Sequence, residues 1–150
     1  MKKSPDTQKL EQILRNPAFS AAGFMGADAR SLAEIIDADI AEVARLGYTP
    51  QQIAERMERI TNTAKEGLGN WVAVDDTRRA MIIEVKGRIP CPWPHAGSFA
   101  KRVTTMEDRK TSQEIYWSDL NIHLIAEHNF FEGRGSPFRI DPKGIIEMLF

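Results

Sequence analysis

The feature that most constrains the fold is a change of sequence pattern at Gly69. Before it, apolar residues such as Leu32, Ile35 and Ile36 recur every three or four positions, which predicts helices. After it, β-branched and aromatic residues alternate with polar ones, which predicts strands. The 150 residues fit one domain, so we predict a single α+β domain over 1–150, helical in 1–68 and β-rich with two helices in 69–150.

Ser4 is predicted to cap a helix that begins at Pro5. The rest of the helical part is expected to form a hairpin packed on a small antiparallel sheet. A first long helix over 28–46 stops at Gly47, and Thr49-Pro50-Gln51-Gln52 then opens the next helix with a capping box. A glycine turn followed by a helix is also typical of a DNA-binding helix-turn-helix. The second helix mixes acidic and basic residues, however, so we do not expect nucleic acid as a partner.

The β-rich part contains two segments whose structure is harder to predict. Three alternating prolines in Ile89-Pro90-Cys91-Pro92-Trp93-Pro94 remove backbone donors, which favours an ordered connector or a sheet edge. The segment 119–130 follows the potential N-cap Ser118 and is interpreted as a helix, although its apolar residues also alternate as in a strand. We further predict a short strand over 138–140 and a C-terminal helix that begins at Asp141-Pro142.

Charge and cysteine content limit the cellular compartments and the kinds of partner that we expect for this protein. The net charge is −1, and neither half of the chain is strongly basic. The single cysteine, Cys91, excludes an internal disulfide and favours a reducing cytoplasm. No secretion signal follows the N-terminal lysines, and no apolar run approaches about 18 residues, so we predict a cytoplasmic protein that does not enter a membrane.

The first candidate site is a polar face of the segment near 118–130. Asp119, His123 and Glu127 are spaced by four, so they share one face of a helix. Flanking carboxylates are expected to raise the pKa of His123, which suits a catalytic acid or base or a metal ligand. A solvated polar stripe is the alternative interpretation. His123 and Glu127 share a face even if the segment is a strand.

The second candidate site is a zinc site. One thiolate and three imidazoles form a suitable zinc ligand set, and four residues supply these groups: Cys91, His95, His123 and His128. The alternative is that Cys91 fills a small apolar space and His128 is a hydrogen-bonded core residue.

The later half of this ligand set resembles the closing half of a zinc finger with two cysteines and two histidines. The resemblance covers Leu120, His123, His128 and Phe130, and it implies that both histidines bind zinc. The paired cysteines of that family are missing, and Cys91-x-x-x-His95 stands in their place. The fold of the finger is therefore not implied.

The third candidate site is an anion site in the glycine-bracketed turn. Arg134, Ser136 and Arg139 offer donors that could grip an anion, and two glycines allow a close backbone approach. A tight turn with solvated arginines is the alternative.

Together these patterns lead us to expect a small binding or regulatory module. It would hold a small anionic ligand or a protein partner near four residues, His123, Glu127, Arg134 and Arg139. The first alternative is a zinc-dependent, hydrolase-like enzyme with Glu127 as base, and the second is a DNA-binding hairpin. The sequence leaves open whether the chain is an enzyme, and a homo-oligomer that closes the sheet edges near the prolines is a further alternative.

Overall fold

The computed structural model describes residues 4–18, 20–95 and 97–150, and it confirms the α+β class. Within these ranges the elements, in chain order, are α1 (Pro5–Arg15), α2 (Leu32–Arg45), α3 (Pro50–Lys65), β1 (Val72–Ala73), β2 (Arg78–Pro90), β3 (Ser98–Asp108), β4 (Gln113–Ser118), α4 (Asp119–His128) and α5 (Pro142–Leu149). No helix in the described residues is both long and apolar enough to cross a membrane.

Side-chain caps fix where the helices begin. Ser118 accepts a hydrogen bond from the Asn121 N–H, and the Asn121 side chain bonds back to the Ser118 backbone. This reciprocal capping box starts α4, so the helical interpretation of 119–128 is confirmed and the strand alternative is wrong. The predicted caps Ser4, Thr49 and Asp141 are also confirmed, because each side chain accepts a hydrogen bond from the backbone N–H three residues further along the chain.

One predicted helix boundary and one predicted strand were wrong. The helix predicted over 28–46, which is α2, begins at Leu32 rather than at residue 28, because Ser31 caps it and Asp28 instead forms an ion pair with Arg30. Residues 138–140 form no strand; Ile140 donates one backbone hydrogen bond to the Phe131 carbonyl.

The larger core lies between the sheet, α3 and α5. The four strands are antiparallel in the order β1-β2-β3-β4, and α3 packs across one face. Trp117 is fully buried there, and its Nε1–H donates to the Thr61 hydroxyl at 2.9 Å. The Thr61 and Thr104 hydroxyls are 2.7 Å apart, so the polar atoms between helix and sheet are paired.

A second, smaller core is separate from the first. It is formed by Leu14, Phe24, Met25, Leu32, Ile35, Cys91, Leu120, Leu124 and Phe130. This core packs the loop that follows β2 against α4. The proline-rich segment is thereby held beside the helix that carries His123 and His128.

The strand β2 extends through Pro90, which pairs with Ser98 of β3. Pro90 is tolerated because β1 pairs only with Arg79 and Ala80, so the rest of β2 is an edge of the sheet. The predicted sheet edge near the prolines is confirmed. The long β2–β3 hairpin places the described residues of its loop, 91–95 and 97, next to α4.

Candidate metal centre

All four predicted zinc ligands meet at one point. Cys91 and His95 lie in the β2–β3 loop, and His123 and His128 lie on α4. Their four ligand atoms are all within 4.8 Å of one another. The chain contains one cysteine and three histidines, so every residue of these two types belongs to the cluster.

Three of the six distances between ligand atoms match the edges of a tetrahedron around zinc. The Cys91 Sγ lies 3.5 Å from the His128 Nε2. The His95 Nε2 lies 3.3 Å from the His128 Nε2 and 3.2 Å from the His123 Nε2. With Zn–N of about 2.0–2.1 Å and Zn–S of about 2.3 Å, a tetrahedral ion requires N–N edges of about 3.3 Å and N–S edges of about 3.5 Å.

The loop is shaped by its own backbone. The pair Pro90–Ser98 closes it, and the Cys91 N–H donates to the Gly97 carbonyl at 3.1 Å. The His95 N–H donates to the Trp93 carbonyl at 2.8 Å. A Cβ at Gly97 would lie 3.1 Å from the Cε1 of His95, so the glycine allows the imidazole to lie close to the loop backbone.

Aromatic side chains fix the planes of two histidine rings. Trp93 stacks on His128 with ring centroids 4.1 Å apart and an angle of 8° between the planes. Phe99 packs against His123 with centroids 4.5 Å apart. These contacts orient the ligand nitrogens. The sequence analysis missed both aromatic contacts, because the relevant partners are distant in sequence and no spacing rule relates them.

The environment favours neutral imidazoles. Burial, followed by the neighbouring His123 and His95, lowers the pKa of His128 to about 4. Burial and then His95 also lower the pKa of His123, against the opposite effect of Glu127. The predicted increase in the pKa of His123 was therefore wrong, since desolvation outweighs the carboxylate. The neutral ring is the form that can donate a lone pair to a metal.

The thiol of Cys91 is buried, and burial raises its pKa. A backbone hydrogen bond from Trp93 acts in the opposite direction. A bound cation would favour the thiolate in the same way as this hydrogen bond does.

The predicted polar face of α4 lines a cavity. Asp119, His123 and Glu127 all line a hollow of about 280 Å³, whose opposite wall is supplied by α3 through Glu58, Thr61, Asn62 and Lys65. Asp119 accepts a hydrogen bond from Arg102 at 2.9 Å, and burial raises its pKa. Glu127 is exposed. The cavity carries three carboxylates and one lysine, and Arg102 compensates the charge of Asp119, so the cavity is weakly acidic.

The arginine turn lies elsewhere. Arg139 forms an ion pair with Asp39, and the Ser136 hydroxyl donates to Glu132 at 2.7 Å. The Arg134 backbone N–H donates to an Asp28 carboxylate oxygen, while its side chain is exposed. None of the three predicted anion ligands lines the cavity beside His123. The arginine turn therefore does not form one site with His123 and Glu127, and anion binding by this turn stays a prediction.

Glu132 is a further polar residue that the sequence analysis did not single out. It is buried, with its carboxylate bonded to the Asn121 amide at 2.8 Å and to the Ser136 hydroxyl. Burial raises the pKa of Glu132 to about 7. The network connects α4 to the turn before α5.

Comparisons with known proteins add no candidate role. Searches against protein-family models, curated proteins and solved structures found no match for this chain. Function must therefore be argued from the geometry of the cluster.

Proposed function

We propose that this chain is a zinc-binding module in which a single zinc ion fastens the β2–β3 loop to α4. The ion would be held by Cys91, His95, His123 and His128. The observation that carries the proposal is the convergence of all four ligand atoms within 4.8 Å, with three of the six distances between them at 3.2–3.5 Å.

The ligand types favour zinc over calcium and magnesium. Calcium and magnesium prefer oxygen ligands, whereas this set offers sulfur and imidazole nitrogen. Zinc accepts such a mixed set in tetrahedral geometry. The ligands come from a loop and a helix that are distant in sequence, so the ion would cross-link two parts of the fold.

Four protein ligands favour a structural role for the zinc ion. A catalytic zinc ion usually keeps a coordination position open for water, whereas a structural ion is surrounded by four protein atoms. Binding free energy at such a centre contributes to folding. The acidic cavity next to His123 would then be the site at which the module binds a ligand. The carboxylates of that cavity favour a neutral or cationic ligand over the anion expected from the sequence.

Metal analysis tests the proposal. The chain is purified without a histidine tag, and its zinc content is measured by mass spectrometry after dialysis. We expect one zinc ion per chain, and a loss of zinc in the Cys91→Ser and His123→Ala variants. Glu127→Gln is the matched control, because Glu127 shares the cavity with His123 but is not in the ligand cluster. A zinc-free wild-type protein after folding in excess zinc would refute the proposal.

A second candidate, a zinc-dependent hydrolase, is favoured by one observation. Glu127 lines the same cavity as His123 and could take a proton from a zinc-bound water. This chemistry requires that the ion gain a fifth position or lose one protein ligand. In the cobalt-substituted protein, added azide would change the visible spectrum if such a position exists. An unchanged spectrum would remove the hydrolase candidate and leave the structural role.

A further inference from the structure

The face of the sheet that α3 does not cover borders an apolar cavity of about 280 Å³. Along β2, Ile82 is buried in the larger core, whereas Ile83 and Val85 are 56% and 58% exposed. Successive residues of a regular strand face opposite sides, and these three residues precede the bulge in β2. Ile83 and Val85 therefore lie on the uncovered face, where both line the cavity.

The lining of this cavity is largely apolar. Val103 of β3 lies opposite Ile83 in the register of the sheet and lines the same cavity. Further apolar lining comes from outside the sheet, from Phe24, Leu120 and Phe138. Phe24 and Leu120 are buried in the smaller core, so they are fixed by packing. A hollow with an apolar lining and few polar groups is typical of a site for a small molecule.

Hydrogen bonds and ring contacts hold the lining in place without a ligand. The Tyr116 hydroxyl donates to the Pro137 carbonyl at 2.6 Å, and the Tyr116 ring packs edge-on against Phe138 with centroids 5.4 Å apart. The Gly133 N–H donates to the Phe24 carbonyl at 2.8 Å. Since the cavity is already formed, a ligand would bind with little cost for ordering the protein.

Lysine 101 places a positive charge beside this cavity. Of the two basic residues in the lining, Arg102 is held by Glu84 and Asp119, each at 2.9 Å. Lys101 is exposed and forms no ion pair with the described residues. It lies opposite Val85 in the register, so its side chain leaves the sheet on the uncovered face. An unpaired ammonium group there favours a ligand with a negative charge at one end.

Glu132 limits where that negative charge can lie. This buried residue also lines the cavity, and its carboxyl oxygens accept hydrogen bonds from the Asn121 amide and the Ser136 hydroxyl. When ionised, it repels a second carboxylate placed beside it. The charged end of a ligand would therefore lie at Lys101, and the uncharged part would fill the space between the sheet and Phe24.

We propose that this cavity binds a small aliphatic monocarboxylic acid, with its carboxylate at Lys101 and its tail over Ile83, Val85 and Val103. A water-sized group occupies about 30 Å³, and a methylene is of similar size, so the cavity holds a tail of about eight to ten carbons. The bound tail would cover apolar side chains that are otherwise in contact with water. This site is separate from the zinc centre, because none of the four proposed zinc ligands lines the cavity.

Isothermal titration calorimetry with hexanoate, octanoate and decanoate tests the proposal, with each acid below its micelle-forming concentration. We expect one saturable site, with an affinity that rises about fourfold for each methylene that the cavity buries. The affinity should stop rising once the tail is longer than the cavity. No saturable binding, or binding that does not depend on chain length, would overturn the proposal.

The charged end is tested with Lys101→Met. We expect the affinity for octanoate to fall about two- to fivefold, as for an exposed ion pair, and the affinity for 1-octanol to stay the same. Lys110→Met is the matched control, because Lys110 is exposed in the β3–β4 turn and the substitution removes the same charge. Equal octanoate affinity in the wild type and Lys101→Met would overturn the proposal, as would tighter binding of octylamine than of octanoate.

The position of the tail is tested with two further variants. Val103→Phe adds volume inside the cavity and should weaken octanoate about tenfold or more. Ile83→Ser alters an exposed side chain, so the protein should fold normally, and it should weaken octanoate and 1-octanol by the same factor, about threefold. Circular dichroism checks that each variant is folded. Folded variants that bind octanoate as the wild type does would show that the ligand lies elsewhere and would overturn the proposal.

Discussion

Two regions of this molecule are stabilised by different interactions. Between α3, the sheet and α5, stability comes from many apolar contacts, and even the Trp117 indole N–H and the Thr61 hydroxyl are paired internally. At the end where the β2–β3 loop meets α4, four potential metal ligands converge inside a thin shell of aromatic rings. Loss of one apolar contact removes only part of the stability of the core, whereas metal binding depends on all four ligands together. The comparison predicts that damage to one region leaves the other largely intact.

The largest effect is expected from Trp117→Ala in the apolar core. Trp117 is fully buried, and its removal leaves a cavity and an unpaired Thr61 hydroxyl. We expect a loss of about 3–5 kcal/mol in the free energy of unfolding, measured by urea denaturation. Zinc content of the folded fraction should not change. A simultaneous loss of zinc would mean that the two regions are not separate.

Zinc removal should affect the metal centre. When free zinc is about a thousand times its dissociation constant, bound metal contributes about 4 kcal/mol to stability. Chelation should remove this contribution and increase hydrogen exchange in residues 91–95 and in α4. Exchange in α3 and β4 should stay as it was. A uniform increase across the chain would contradict a local role of the metal.

The buried carboxyl of Glu132 connects the two regions and should make stability depend on pH. Its pKa rises from 4.5 to about 7 on folding, so its contribution is complete below pH 4.5 and is lost as the pH rises to 7. This corresponds to about 3 kcal/mol. The histidines act in the opposite sense in this pH range, so the wild type is compared with Glu132→Gln. The stability of the wild type relative to the variant should fall across this range, and parallel curves would contradict the shift.

The smallest effect on stability is expected from Gly97→Ala. The added Cβ would press on the His95 ring, at 3.1 Å from Cε1 and 3.3 Å from Nδ1. We expect zinc affinity to fall about tenfold, as for a displaced ligand orientation, when measured by competition with a chromogenic chelator. The zinc-free protein should change by less than about 0.5 kcal/mol. Unchanged affinity would show that the ring position does not matter.

Local signals in the sequence were sufficient for most of the helices. Caps at Ser4, Thr49 and Asp141 depend on residues three positions apart, so they can be read without knowledge of the tertiary fold. The segment 119–130 was ambiguous because its apolar residues fit both periods, and the Ser118–Asn121 capping box decides it. The Phe138–Ile140 strand was predicted from composition alone and failed because no neighbouring strand pairs with it.

The site could be predicted only in part. Ligand chemistry identified Cys91, His95, His123 and His128, but their convergence depends on the length and register of the β2–β3 hairpin, which are non-local properties. The expected link between His123 and the arginine turn is not present, because Arg139 pairs with Asp39 of α2. The sequence gives no sign of this ion pair, since its partners are a hundred residues apart.

X-ray absorption at the zinc edge tests the central claim most directly, because it reports the atoms bound to the metal. The account predicts one sulfur at about 2.3 Å and three nitrogens at about 2.0–2.1 Å. Because Cys91 is the single cysteine of the chain, one sulfur per zinc identifies its thiolate as the sulfur ligand of each ion. A spectrum without sulfur, or with two sulfurs from two chains, would contradict the proposed centre.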